Sequence, residues 1–229
     1  MTRRPALLFL LIVVTVSAAL GVAWAASETT RVMGSIDIAP GEHTGNLQTV
    51  NGSIRVGDNA VVGDAHTVNG SIALASHASA AELKTVNGSV RLDQDARVSG
   101  DVHTVNGKLS LESGADVTGG LRNVNGQVRV AAAHVGGGID TATGGIDLGP
   151  DARVDGGIHM QKDTNSFHTG SESIPRVVIR SGSVVGGTLN FERPVQLYVS
   201  DRATIGPVQG ATPIRFSGDH PPESAAPSD

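Results

Sequence analysis

The chain has 229 residues, a net charge of −5, no cysteine, 30 glycines and aromatic residues at only 3%. The acidic balance excludes the basic face that a nucleic-acid partner demands, and the missing cysteines exclude disulfides, thiol catalysis and a lipid-modified cysteine. So few aromatics also argue against a conventional globular core, which bulky rings anchor; a narrow interior of small and β-branched side chains suits this composition better.

Residues 1–25 have the three-part build of a secretory signal. Arg3 and Arg4 precede an apolar run from Ala6 to Leu20, and a small-residue site follows at Ala23-Trp24-Ala25. Cleavage before Ala26 is expected, which places the mature chain in the periplasm, in the medium or on the cell surface. The alternative is an inner-membrane anchor over residues 6–26, long enough to cross a hydrocarbon core of about 30 Å.

From residue 26 to 160 the chain repeats. Thr-Val-Asn-Gly begins at Thr49, Thr67, Thr85 and Thr104, recurs as Asn-Val-Asn-Gly at Asn123, and fades to Ala142-Thr143-Gly144, at spacings of 18 or 19 residues. Fixed self-similarity at such a period marks a stacked-repeat architecture. A finer period of six runs through Val50, Val56, Val62, Val68, Leu74, Ala80, Val86, Leu92 and Val98, and resumes after one-residue insertions, with Gly136 as the one empty place. Three hexads per repeat predict a three-sided coil with these residues pointing inward. After each Asn-Gly the pattern alternates, as in Ile54-Arg55-Val56 and Val90-Arg91-Leu92, which predicts half-buried strands.

The fold class expected is therefore all-β: a single-stranded parallel β-helix of either hand, with three-sided coils of 18–19 residues, about seven regular and two irregular. The competing reading takes Asn-Gly as a hairpin turn, but hairpins need no constant spacing. Stacking brings Asn51, Asn69, Asn87, Asn106 and Asn125 into one ladder, with Asn expected to accept the left-handed backbone of a corner. The Asn-Gly-Ser triplets at Asn51, Asn69 and Asn87 read as corner repeats rather than glycosylation sites.

Residues 161–175 are a polar loop insertion. Residues 176–208 hold two terminal coils in which Phe191, Leu197 and Tyr198 suit a cap over an open end. Residues 209–229 read as a mostly disordered tail, with the disorder expected after Phe216, by their Pro, Ser, Ala and Asp content.

The Val-Asn-Gly-Ser strands at residues 50–54 and 86–90 resemble the adhesin-like β-strand-repeat proteins of bacterial envelopes. The stretches at residues 57–64 and 114–120 resemble the polymer-forming bactofilins. The latter resemblance implies a β-helix without cofactor that assembles end to end, whereas the export signal departs from the cytoplasmic bactofilin pattern.

Chemistry-bearing motifs are sparse. His66 and His103 share a column read as Gln48, His66, Lys84, His103, Arg122 and Thr141; two coils separate them, about 10 Å, too far for a shared metal whose ligands lie within about 2.1 Å of it. No serine stands in a nucleophile elbow, and Gly136-Gly137-Gly138 lacks the helix and lysine of a phosphate loop. An acyltransferase would need a loop histidine, for which His168 is the candidate. A third class is a flat-face binder: with Val50 inward, the pairs Thr49/Asn51, Thr67/Asn69, Thr85/Asn87 and Thr104/Asn106 would form an outward lattice for glycan or ice. The leading expectation is a non-enzymatic structural or adhesin-like protein, without cofactor or metal. It would partner an envelope surface or itself, and touch a membrane only through an uncleaved N-terminal segment.

Overall fold

The computed structural model describes residues 28–162, 174–218 and 220–222. The signal segment, His168 and residues 223–229 lie outside the described residues. Among those described there is no helix long and apolar enough to cross a membrane. The chain is a β-solenoid of about nine turns with three parallel sheets. Face A has ten strands, from Thr29–Met33 through Leu47–Asn51, Ala65–Asn69, Leu83–Asn87, Val102–Asn106 and Leu121–Asn125 to Val208–Gln209. Face B also has ten, from Ile36–Ile38 to Ile214–Phe216; face C has seven short ones, from Ser79–Ala80 to Thr204–Ile205.

Equivalent residues of successive coils are in register. Leu47 lies beside Ala65, Thr49 beside Thr67 and Asn51 beside Asn69 on face A; Ile54 lies beside Ile72 and Val56 beside Leu74 on face B. Every strand pairing among the described residues is parallel, so the hairpin alternative fails. Parallel pairing needs a crossover between partner strands, and here the other two sides of the coil supply it.

The interior follows the hexads on two sides. Val56, Val62, Leu74, Ala80, Leu92, Val98, Leu111 and Val117 are buried, as is the second apolar member of the regular face-B strands, such as Ile54 and Ile72. On face A the expected phase is wrong. The inward residues are Leu47 and Thr49, Ala65 and Thr67, Leu83 and Thr85, Val102 and Thr104, while Val105 and Val124 are 38% and 43% exposed. The cause is that the three corners differ in length, so a uniform count of six loses phase on this side.

This phase explains the Thr-Val-Asn-Gly phrase. Each threonine points inward and its hydroxyl donates to the glycine carbonyl of the preceding coil: Thr49 to Gly34 at 3.0 Å, Thr67 to Gly52 at 2.9 Å, Thr85 to Gly70 at 2.8 Å and Thr104 to Gly88 at 2.9 Å. A buried hydroxyl is costly without such a partner. The valine faces out, and the asparagine closes the strand. Glycine is required because a Cβ at Gly70 would fall on the carbonyl oxygen of Gly52, and the same holds at Gly88 against Gly70.

The left-handed backbone expected at the asparagine corner sits at another corner. Positive φ occurs at Asn59, His77, Asp95, Gly114, Ala132, Asp151 and Gly182, between faces B and C. The residue after each is small and buried: Ala60, Ala78, Ala96, Ala115, Ala133, Ala152 and Ser183. Turns such as Ala60 N–H to Gly57 C=O at 3.1 Å and Ala96 N–H to Asp93 C=O at 3.1 Å close this corner, leaving room inside for a methyl group and little more.

The insertion falls between Ile158–Met160 on face A and Arg176–Ile179 on face B, where regular coils place Asn-Gly. Beyond it Phe191 and Leu197 enter the core, whereas Tyr198 stays on the outer side of face B with Val178 and Phe216. The Arg176 guanidinium lies 4.7 Å from the Tyr198 ring centroid and donates to the Pro222 carbonyl at 3.2 Å. The expected boundary at residue 208 is therefore too early: strands Val208–Gln209 and Ile214–Phe216 add a partial coil.

Candidate functional site

A solenoid offers two kinds of surface, its outer faces and its two ends. On the outer edge of face A the asparagine ladder forms as expected. Asn69 Nδ2 donates to Asn51 Oδ1 at 2.9 Å, Asn87 to Asn69 at 2.9 Å, Asn106 to Asn87 at 3.0 Å and Asn125 to Asn106 at 2.9 Å. The expected Thr-x-Asn lattice does not form. Asn51, Asn69, Asn87 and Asn106 are exposed, but Thr49, Thr67, Thr85 and Thr104 are at most 4% exposed, committed to glycine carbonyls inside. Valines take the outward place beside the amides.

Next to the valines runs the column Gln48, His66, Lys84, His103, Arg122, Asp140 and His159. Thr141, expected in this column, is instead inward and 2% exposed, because Arg122 pairs with Asp140. Lys84 and His103 meet acids from the adjoining corner, and Arg122 meets Asp140 of the column itself at 3.6 Å. Lys84 Nζ lies 2.7 Å from Glu82, and His103 Nε2 lies 3.7 Å from Asp101. The signal for these pairs was legible as acid-x-base: Asp64-x-His66, Glu82-x-Lys84, Asp101-x-His103.

His66 does not join His103; it joins Asp64 and Glu82, with one potential ligand atom from each within 4.8 Å of the others. The Lys84 ammonium on Glu82 already supplies a cation there. Partial burial, then Lys84, lowers the His66 pKa; partial burial, then Arg122, lowers that of His103. Both shifts favour the neutral imidazole.

A different arrangement holds His134 on face C. Its Nδ1 lies 2.5 Å from Asp116 of the coil before and its Nε2 lies 3.0 Å from Asp155 of the coil after. Two acceptors on two ring nitrogens require the imidazolium, and the bonds to Asp155 and then Asp116 raise its pKa. His159 lies between Asp140 at 3.4 Å and Glu192 at 3.1 Å. On face B, Arg55 pairs with Asp37 and Arg180 chelates Asp147 at 2.9 and 3.1 Å. These side chains tie coil to coil along the rod; they do not converge on a pocket.

The ends carry an unexpected pair of residues. Arg31 in the first coil is in register with inward-facing Thr49, and Arg215 in the last coil is in register with Val199, a core residue. Each stands where the interior demands an apolar or capped group, and each is exposed. The Arg31 guanidinium turns back to the Ser35 carbonyl at 3.2 Å, and that of Arg215 to the Ser200 carbonyl at 3.2 Å. Inward-pointing charge is a recognised way to blunt a sheet edge. Pro207 and Pro213 reinforce it, each directly preceding a last strand with no N–H to offer.

Against models of known protein families, curated proteins and solved structures, the chain has no significant match. The architecture defines the class as a three-sided parallel β-solenoid, and the reading of its function rests on its own surfaces.

Proposed function

We propose that this is a non-enzymatic, exported β-helical rod that works as an adhesin-like protein through the outer side of face A, with its ends closed to stacking. The observation that carries the reading is the pairing of repeating outer rows of asparagine and valine along face A with an arginine at an inward register position in both terminal coils. Bringing two such ends together would bury two uncompensated guanidinium groups, a cost of several kcal/mol per ion. Lateral contact carries no such cost. Asn69, Asn87 and Asn106 each spend one N–H and one oxygen lone pair on their ladder neighbours, and the second N–H and lone pair remain for a ligand. Beside them, Val105 and Val124 offer apolar contact. Amides beside methyl groups at the strand spacing of about 4.8 Å suit a repetitive polymer such as an envelope glycan.

The test has two arms. Light scattering of residues 26–229 should give a monomer, and Arg31→Val with Arg215→Val should convert it to end-to-end rods visible by negative stain. In pelleting assays with purified peptidoglycan, the wild-type chain should co-sediment and Val105→Glu/Val124→Glu should not, at unchanged circular dichroism. Filaments of the wild type, or no glycan binding by it, would overturn the proposal.

A further inference from the structure

The sequence holds five Asn-Gly pairs in one column, at Asn51, Asn69, Asn87, Asn106 and Asn125. Asn-Gly is the dipeptide most prone to deamidation, because glycine offers no side chain to hinder attack by its own backbone nitrogen on the asparagine amide. The reaction needs that nitrogen free and the side chain able to swing onto it.

In four of the five pairs the solenoid denies the first condition. Gly52 N–H donates to Asn69 C=O at 3.1 Å, Gly70 to Asn87 at 3.0 Å, Gly88 to Asn106 at 3.0 Å and Gly107 to Asn125 at 2.9 Å. The fifth departs from the pattern. The coil after Asn125 has Ala142-Thr143-Gly144 in place of Val-Asn-Gly, and its face-A strand is only Ile139–Thr141. Thr143 N–H turns to Val124 C=O at 2.9 Å, and Gly126 N–H has no hydrogen-bond partner among the described residues. Gly126 also has φ of +125°, unlike the four glycines before it in the column. The amide ladder also ends here: Asn125 Oδ1 receives no amide N–H from a following coil among the described residues and meets only the Thr143 hydroxyl, for whose single proton the Val124 carbonyl competes at 3.1 Å.

We infer that Asn125–Gly126 is a modification site at which the folded protein deamidates first. Gly126 N attacks Asn125 Cγ, forming a C–N bond; the Cγ–Nδ2 bond breaks, and Nδ2 leaves as ammonia with the proton from Gly126 N–H. Water then opens the five-membered imide at either carbonyl, giving aspartate or isoaspartate. Either product ends the donation from Asn125 Nδ2 to Asn106 Oδ1. The change falls where the amide ladder stops, at the seam between the regular coils and the divergent ones.

The experiment is peptide mapping by mass spectrometry after the full chain is incubated at mildly alkaline pH, with a parallel sample in denaturant. In the folded chain Asn125 should convert at least about tenfold faster than Asn69, Asn87 or Asn106, since each of those must first break a backbone hydrogen bond by local opening. In denaturant the five sites should lose their ranking. Conversion of Asn69, Asn87 or Asn106 as fast as Asn125 in the folded chain would overturn the inference, as would an unchanged ranking on unfolding.

Discussion

The coils between Leu47 and Val135 and those after Arg176 share one backbone plan and differ in how they satisfy it. The middle coils use ladders: threonine hydroxyls on glycine carbonyls inside, amides outside, and alanine at the tight corner. The later coils put Phe191, in register with Met160 of the coil before, where the middle coils have threonine, show no amide ladder among the described residues, and bury a cluster of Val178, Tyr198 and Phe216 on the outer side of face B. Repetition therefore serves where each coil has a neighbour on both sides. Where the stack ends, bulk and charge take over, because a terminal coil must cover a cross-section rather than continue it.

Glycine substitution tests this contrast most strongly. Gly88→Ala puts a Cβ on the Gly70 carbonyl oxygen and should force two middle coils apart, at a cost above about 4 kcal/mol. Because a solenoid is held by nearest-neighbour interfaces, the calorimetric transition should split into two. Gly210→Ala meets the Phe191 carbonyl oxygen but lies in the last partial coil, so it should fray that coil alone and leave the main transition in place. A single, equally shifted transition in both variants would erase the distinction between middle and end.

A smaller effect is expected at the threonine column. Thr85→Val keeps the shape and removes the donor to Gly70 C=O, and should cost about 1 kcal/mol in urea unfolding. Thr85→Tyr should be far worse, since the site is interior; were Thr85→Tyr harmless, the inward phase of face A would be wrong.

The smallest effect is pH-dependent. His134 has a folded pKa raised above its unfolded value, so its contribution is fully present below about pH 6.5 and is lost as pH rises through the folded pKa. His66 and His103 have lowered values; their contribution is present above about pH 6.5 and is lost as pH falls through their folded pKa values. His134→Gln should thus flatten the neutral side of the stability profile, and His66→Gln/His103→Gln the acid side, each by a fraction of the whole because all three side chains are partly solvated. The same slope in both variants would refute the assignment.

Much of this was legible from the residues. The 18- and 19-residue period, the parallel stacking, the asparagine ladder and the alternating face-B strands follow from spacing alone, since like residues in like places can be satisfied by one another only when coils lie in register. Val50 shows where spacing fails: an apolar residue in phase with six still faces out, because the lengths of the corners decide phase and no periodicity count contains them. The candidate lattice failed for that reason, as Thr67 and Thr85 spend their hydroxyls inside. Asn59 and Asp95, not the asparagines of the ladder, take the left-handed corner, a choice made by where the chain has room only for the methyl groups of Ala60 and Ala96.

By itself, then, the amino-acid order determined that coils stack and which residues form vertical rows, because a repeat that cannot bury its apolar side alone must lean on its copies. Which side of each row meets water, that Arg31 and Arg215 stand over the two ends, and that Gly126, alone among the glycines of the five Asn-Gly pairs, lacks a hydrogen-bond partner for its N–H among the described residues were decided only in three dimensions. Those outcomes depend on corner geometry and on the neighbouring coil, and neither is local to the residues concerned.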